Sequence, residues 1–250
     1  MNAYTSLAQA YDRLTWDVDY AGILDYIEAL LRERGKRPET VLDLACGTGT
    51  IACLLTQRGY RVTATDASVD MLAQAAQKAA ALPGAPPLFV CQSMPRLRLP
   101  EAVDAAVSTL DSLNYLTRER DLRETLRRVY RYLRPGGAFC FDVNTPHKLR
   151  RMDGQLYMDE TEESVCVWRT FFSEKTQICT YQVDLFRRRA DGAWDRSFEE
   201  HRERAWSRET LERLLADTGF ARVRVYGDRT TRPPRPEEDR LIIRADKDKE

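Results

Sequence analysis

The chain reads as an α/β protein, with a mostly parallel sheet between helices that is interrupted late by an antiparallel β segment. Three observations predict this. Strand-like and helix-like runs alternate from residue 40 to residue 142, and such alternation builds parallel strands joined by crossover helices. A glycine-bearing turn at 45–49 sits between the first strand and its helix. From 164 to 206, three strand-like runs follow one another with no helix between them, a pattern of antiparallel hairpins.

Taken in order, residues 1–20 are polar and carry Tyr4, Tyr11 and Tyr20. Ile23, Ile27, Leu30 and Leu31 then recur at helical spacing, and Gly35 supplies a stop. The run 40–44 is a short strand, followed by a helix with Ile51, Leu54 and Leu55. A second strand, 61–65, ends at Asp66, and Ser68 caps a helix containing Met71, Leu72, Ala75, Ala76 and Ala79. The runs 88–91 and 103–108 are strands three and four. Leu122, Leu126, Val129 and Leu133 make the apolar stripe of a helix. Arg134-Pro-Gly-Gly137 breaks that helix, and 138–142 is strand five.

The later strand runs are 164–172, 178–187 and roughly 194–206, with Asp191-Gly192 as the hairpin turn between the last two. Ser207 caps a helix with Leu211, Leu214 and Leu215, stopped by Gly219. Two strands follow, 220–226 and 241–244, across a Pro- and Arg-rich loop at 229–239. The tail 246–250 is expected to be disordered.

A chain of 250 residues suits one large domain carrying an insertion. Its 39 basic residues balance its 39 acidic ones, which removes any global attraction to nucleic acid or an anionic membrane. No apolar run approaches the ~20 residues of a membrane span, and the first residues lack the form of a secretory signal. A cytoplasmic location is expected. The six cysteines form no Cys-x-x-Cys pair and only two histidines are present, so no metal site is expected and the cysteines read as reduced core thiols.

The chemistry concentrates in Asp43-Leu-Ala-Cys-Gly-Thr-Gly49. Glycines let the backbone turn sharply and approach a ligand with no Cβ in the way. The helix behind them offers free N–H groups. Asp66, about 20 residues further on, is placed to accept both hydroxyls of a ribose. A nucleoside cofactor is therefore expected at the carboxyl ends of the first two strands. Gly47-x-Gly49-x-x-Ala52 also satisfies the dinucleotide fingerprint. Three features oppose a nicotinamide enzyme: a tyrosine-rich leader before the glycines, Asp43 where a pyrophosphate would be repelled but an ammonium welcomed, and the absence of a second mononucleotide half.

With these residues in view, the chain resembles the class I S-adenosylmethionine-dependent methyltransferases, and within them a subgroup of small bacterial enzymes. The resemblance rests on Tyr4, Tyr11-Asp12, 41–50, 59–68, Met71-Leu72, 111–115, 133–137 and 141–144, and more loosely on Glu200-His201 with Arg204. It implies a Rossmann-like, seven-stranded, mostly parallel sheet with a reversed last strand. The core would comprise 1–150, including an N-terminal helical lid, and 205–246, with 151–204 as an antiparallel β cap. Tyr11 and its neighbouring tyrosines would close over the cofactor, S-adenosylmethionine. Asp43, Ala45, Cys46 and Gly47 would line its methionine end, and Asp66 would hold the ribose. Ala67, Met71, Gln92, Ser93 and Met94 would surround the adenine. Ser93 departs from the family, which often has aspartate there, so a charge-assisted contact is lost. Leu110 would stand where the sulfonium meets the acceptor.

The sulfonium is already activated, so the protein mainly aligns the reactants and excludes water. Where a base is needed, Asp111, Asp142 and His201 are the candidates. Asn114, Tyr115, Asn144 and Arg204 are candidate acceptor contacts, each with ordinary packing as the alternative. The arginines 120, 123, 127, 131 and 134 form a helical stripe that could touch RNA, but the interspersed Glu119, Asp121 and Glu124 favour self-pairing. Asn144-Thr-Pro146 follows strand five rather than strand four, which argues against a base amino-methylase. The expected reaction is methyl transfer to a small-molecule O or N acceptor, giving S-adenosylhomocysteine. The alternatives are an RNA- or protein-directed methyltransferase and a nicotinamide oxidoreductase.

Overall fold

The structure is a computed structural model that describes residues 7–8, 10–33 and 37–249. Tyr4 and Gly35 lie outside the described residues. Strands β1 (Thr40–Leu44), β2 (Arg61–Asp66), β3 (Leu88–Cys91), β4 (Val103–Ser108) and β5 (Leu133–Asn144) pair in parallel. Near the C-terminus, β10 (Arg222–Gly227) and β11 (Arg240–Asp246) complete a seven-stranded sheet in the order β10-β11-β5-β4-β1-β2-β3. Only β11 is reversed: it runs antiparallel to both β5 and β10.

Helices cover both faces, which is why β1 is buried at every position. Successive side chains point to opposite faces. Leu42 and Leu44 meet Leu122, Leu126 and Val129 of α5 (Glu119–Tyr132) and Leu211, Leu214 and Leu215 of α7 (Arg208–Thr218). Val41 meets Leu24, Ile27 and Leu31 of α2 (Tyr20–Arg32) and Ile51 and Leu55 of α3 (Thr50–Gln57). Helix α4 (Val69–Ala79) begins where the Ser68 hydroxyl accepts the Met71 N–H. Short helices α1 (Tyr11–Leu14) and α6 (Pro146–Arg151) precede α2 and follow β5. The Asn-x-Pro sequence is the start of α6: Thr145 caps it and Pro146 occupies its first turn.

A second, antiparallel sheet contains β6 (Leu156–Glu160), β7 (Ser164–Ser173), β8 (Ile178–Arg188) and β9 (Trp194–Arg204), paired in that order. Leu7 and Ala10, with Tyr11 and Leu14, pack on Cys166, Cys179, Val183 and Leu185 of this sheet. The N-terminal segment therefore lies against the insertion.

Three sequence expectations need correction. The insertion has four strands, not three; β6 is an edge strand exposed throughout, so no burial alternation marks it. Arg134-Pro-Gly-Gly137 stops α5 but belongs to β5, where a register irregularity against β4 absorbs it. The tail is ordered through residue 248: the Gly136 N–H donates to the Asp248 carbonyl and the Lys247 N–H to the Gly137 carbonyl. No helix among the described residues is long and apolar enough to cross a membrane.

Candidate active site

The turn after β1 takes three left-handed residues: Ala45 (φ 61°), Gly47 (φ 54°) and Gly49 (φ 74°). The two glycines serve different needs. A Cβ on Gly47 would meet nothing within 4 Å, whereas one on Gly49 would lie 2.8 Å from the Ala75 Cβ. Gly47 thus keeps backbone exposed to a ligand, and Gly49 lets α3 and α4 close together. Gly49→Ala is expected to destabilise the fold by about 1–3 kcal/mol, through overpacking and the left-handed φ. Chemical denaturation of the variant measures it.

Asp66 ends β2 and ties the two loops together. Its carboxylate accepts the Gly47 N–H at 2.9 Å and the Ser68 N–H at 2.8 Å. Burial raises its pKa, against the opposing pull of those backbone bonds. Asp43 is buried to 1% exposure, and its Oδ2 has no hydrogen-bond partner. Burial, with the nearby Asp66 charge, pushes its pKa up to about 7. An orphaned buried carboxylate oxygen, a tethered acid at the strand end and an open glycine turn fit the ammonium, ribose and backbone contacts of S-adenosylmethionine.

The Asp43 shift has two consequences of defined sign. The folded pKa lies above the unfolded one, so folding is penalised by this group as pH rises from about 4 to about 7. A cation beside Asp43 favours its charged form. Affinity for S-adenosylhomocysteine is therefore expected to rise between pH 6 and pH 8, and Asp43→Asn to flatten that rise in calorimetric titrations.

These loops border a cavity of about 310 Å³, within the range of small-ligand sites. Tyr11, Ala45, Cys46, Gly47, Asp66, Ala67, Met71, Gln92, Ser93, Met94, Leu110 and Tyr115 all line it, as does Tyr20. Asp43 does not; it sits in the strand behind. Sequence reasoning missed Thr48, Thr50, Ser68, Thr109, Ser112 and Leu116. Their one signal was adjacency to the turns already identified.

The remaining predicted residues lie elsewhere. Asp111 and Asp142 share Arg240: its Nη2 is 2.8 Å from Asp111 Oδ1 and its Nη1 pairs with Asp142 Oδ2. The Asp111 N–H donates to Asp142 at 2.9 Å. Burial raises the Asp142 pKa against the pull of Arg240, and the two carboxylates keep Arg240 charged. The buried His201 has Nε2 3.3 Å from Glu199, and its ring stands edge-on to Tyr115 with 6.0 Å between centroids.

Asn114 donates to the carbonyls of Asn144 (3.0 Å) and Arg204 (2.9 Å) and accepts the Asn144 N–H (3.0 Å). Asn144 in turn donates to Glu203 at 2.9 Å. The Arg204 guanidinium donates to the Thr117 carbonyl and lies 4.5 Å over the Trp206 ring. This group joins the second sheet to the ends of β4 and β5. Glu203, with a pKa raised to about 8 by burial and by Asp111, went unnoticed in the sequence.

A family model described as "Methyltransferase domain" matches residues 41–137. The chain is 34% identical to "Putative methyltransferase YqeM" of Bacillus subtilis, over 98% of each chain. Its fold superposes on an S-adenosylmethionine-dependent methyltransferase from Clostridium acetobutylicum with a TM-score of 0.86, at 26% identity, covering 99% of this chain and 100% of the other. A sugar N-methyltransferase, KedS8 from a Streptoalloteichus species, shares the fold with a TM-score of 0.77 at 20% identity, over 95% and 92% of the two chains. The chain belongs to the class I S-adenosylmethionine-dependent methyltransferases. Its cofactor is S-adenosylmethionine, which removes the nicotinamide alternative.

Proposed function

We propose that this methyltransferase acts on a small or medium-sized molecule through an oxygen or nitrogen atom. One observation carries the reading. Asp66 is the only Asp, Glu, His, Lys or Arg among the described residues that line the cavity. The rest of the lining is uncharged and includes Tyr11, Tyr20, Leu110, Tyr115 and Leu116. Such walls exclude water and fit a compact acceptor; they offer no cationic track for a polymer backbone.

S-adenosylmethionine supplies a methyl group already bonded to positive sulfur, so an acceptor lone pair can take it as the carbon–sulfur pair returns to sulfur. The chain's own residues position the reactants. In this reading Asp66 holds the ribose and Asp43 the ammonium, and the turn 109–112 fixes the transfer end. Asp111 and Asp142 hold that turn through Arg240, and His201 backs Tyr115. The second sheet, packed on the N-terminal segment, roofs the site.

Self-pairing within the arginine stripe supports the same reading over RNA. Arg120 pairs with Asp121, Arg123 with Glu119 and Asp217, and Arg134 with Asp104. The test is transfer of a labelled methyl group from S-adenosylmethionine to a cell extract separated into small-molecule, RNA and protein fractions. Label is expected in the small-molecule fraction; label confined to RNA or protein would refute the proposal.

A further inference from the structure

A second hollow, of about 230 Å³, lies on the far side of Leu110. Leu110 is the one described residue that lines both cavities. It is held there under strain. Leu110 and Asp111 have φ of 56° and 53°, a left-handed region that non-glycine residues rarely adopt. The turn persists because Asp142 accepts the Asp111 N–H and Arg240 bridges both carboxylates. Leu110 thus borders the cofactor cavity on one side and the hollow on the other.

We propose that this hollow is the acceptor chamber and that it takes a small organic molecule carrying an ammonium or guanidinium group. The proposal rests on the methyltransferase reading of the adjoining cavity. Ile23, Ile27, Phe141 and Ile242 supply apolar walls for a hydrocarbon body. The charged lining is Asp17, Asp19, Asp142 and Asp228 against Arg229 and Arg240. Arg240 is committed to Asp142 and Asp111, and Arg229 lies 3.3 Å from Asp19. Neither of the two lining arginines is left to pair with Asp17 or Asp228. The hollow therefore carries surplus negative charge beside an apolar floor, which complements an organic cation. The described carboxylates do not converge as a metal-holding group, which favours the organic cation over a metal ion.

The chemistry constrains the acceptor further. An ammonium has no lone pair, so the anchored group is not the atom that is methylated. A second heteroatom of the same molecule, a hydroxyl or a neutral amine, points toward Leu110. Its lone pair forms the bond to the methyl carbon, the carbon–sulfur pair stays with sulfur, and its proton leaves to water.

The test uses intact protein saturated with S-adenosylhomocysteine. It is titrated by NMR with 2-phenylethylamine, 2-phenylethanol and 3-phenylpropionate, which differ mainly in charge. The amine is expected to bind about tenfold more tightly than the alcohol, with the carboxylate weakest, and to shift the amide signals of residues 17–19 and 226–229. The double variant Asp17→Asn/Asp228→Asn should bring the amine to the level of the alcohol and leave S-adenosylhomocysteine affinity within about twofold. Equal binding of all three probes, binding of none, or an amine preference that survives the double variant would overturn the proposal. Failure of the wild-type protein to bind S-adenosylhomocysteine would overturn the methyltransferase reading, and this inference with it.

Discussion

Asp66→Ala is expected to weaken S-adenosylhomocysteine binding by about 100-fold or more. Two losses add. The carboxylate would hold a ribose diol through charge-assisted bonds, each worth about 1.5–3 kcal/mol. The same carboxylate receives the Gly47 and Ser68 N–H groups, so the variant also frees the two loops that shape the cavity. Calorimetric titration measures the affinity, and circular dichroism shows whether the fold survives. Asp66→Asn separates the contributions: it keeps an acceptor for one tether but loses the charge, and its affinity should fall between the two. An Asp66→Ala variant within threefold of wild type would mean that the ribose is held elsewhere.

The second large effect is on stability. Arg240→Met is expected to cost about 3–5 kcal/mol at pH 8, because it leaves Asp142 buried without its cation. Burial already raises the Asp142 pKa against the pull of Arg240, and removing Arg240 raises it further. With a folded pKa above the unfolded one, the penalty is full above the folded pKa and fades as pH falls toward about 4. The difference between variant and wild type should therefore be smaller at pH 5 than at pH 8 in chemical denaturation. Adding Asp142→Asn to Arg240→Met should restore part of the loss at pH 8. A cost independent of pH would point to lost packing instead.

The parallel half of the fold was legible because its signals are local. Each strand of the run 40–108 is a short β-type stretch followed by a turn, and the 45–49 turn and Asp66 carry their chemistry at fixed spacing. Most of the lining of the 310 Å³ cavity was therefore visible in the sequence, although Asp43 lies behind it and Thr48, Thr50 and Thr109 went unnoticed. Other features depend on partners distant in the chain. Nothing near Asp111 or Asp142 announces Arg240, which arrives on the reversed strand β11. Asn114, Asn144 and Arg204 were sensible acceptor contacts by position, yet their side chains bond within the protein: Asn114 to Asn144 and the Arg204 carbonyl, Asn144 to Glu203, and Arg204 to the Thr117 carbonyl. The edge strand β6 has no buried face to generate a pattern, and the tail is ordered by backbone pairing with β5, which side-chain polarity does not report.

The most direct measurement is calorimetric titration of the wild-type protein with S-adenosylhomocysteine and, separately, with NADH. The fold, the tethered Asp66 and the orphaned Asp43 predict saturable one-to-one binding of S-adenosylhomocysteine and no heat from NADH. Binding of NADH, or of neither nucleoside, would contradict the assignment of the 310 Å³ cavity as the site of the sulfonium cofactor.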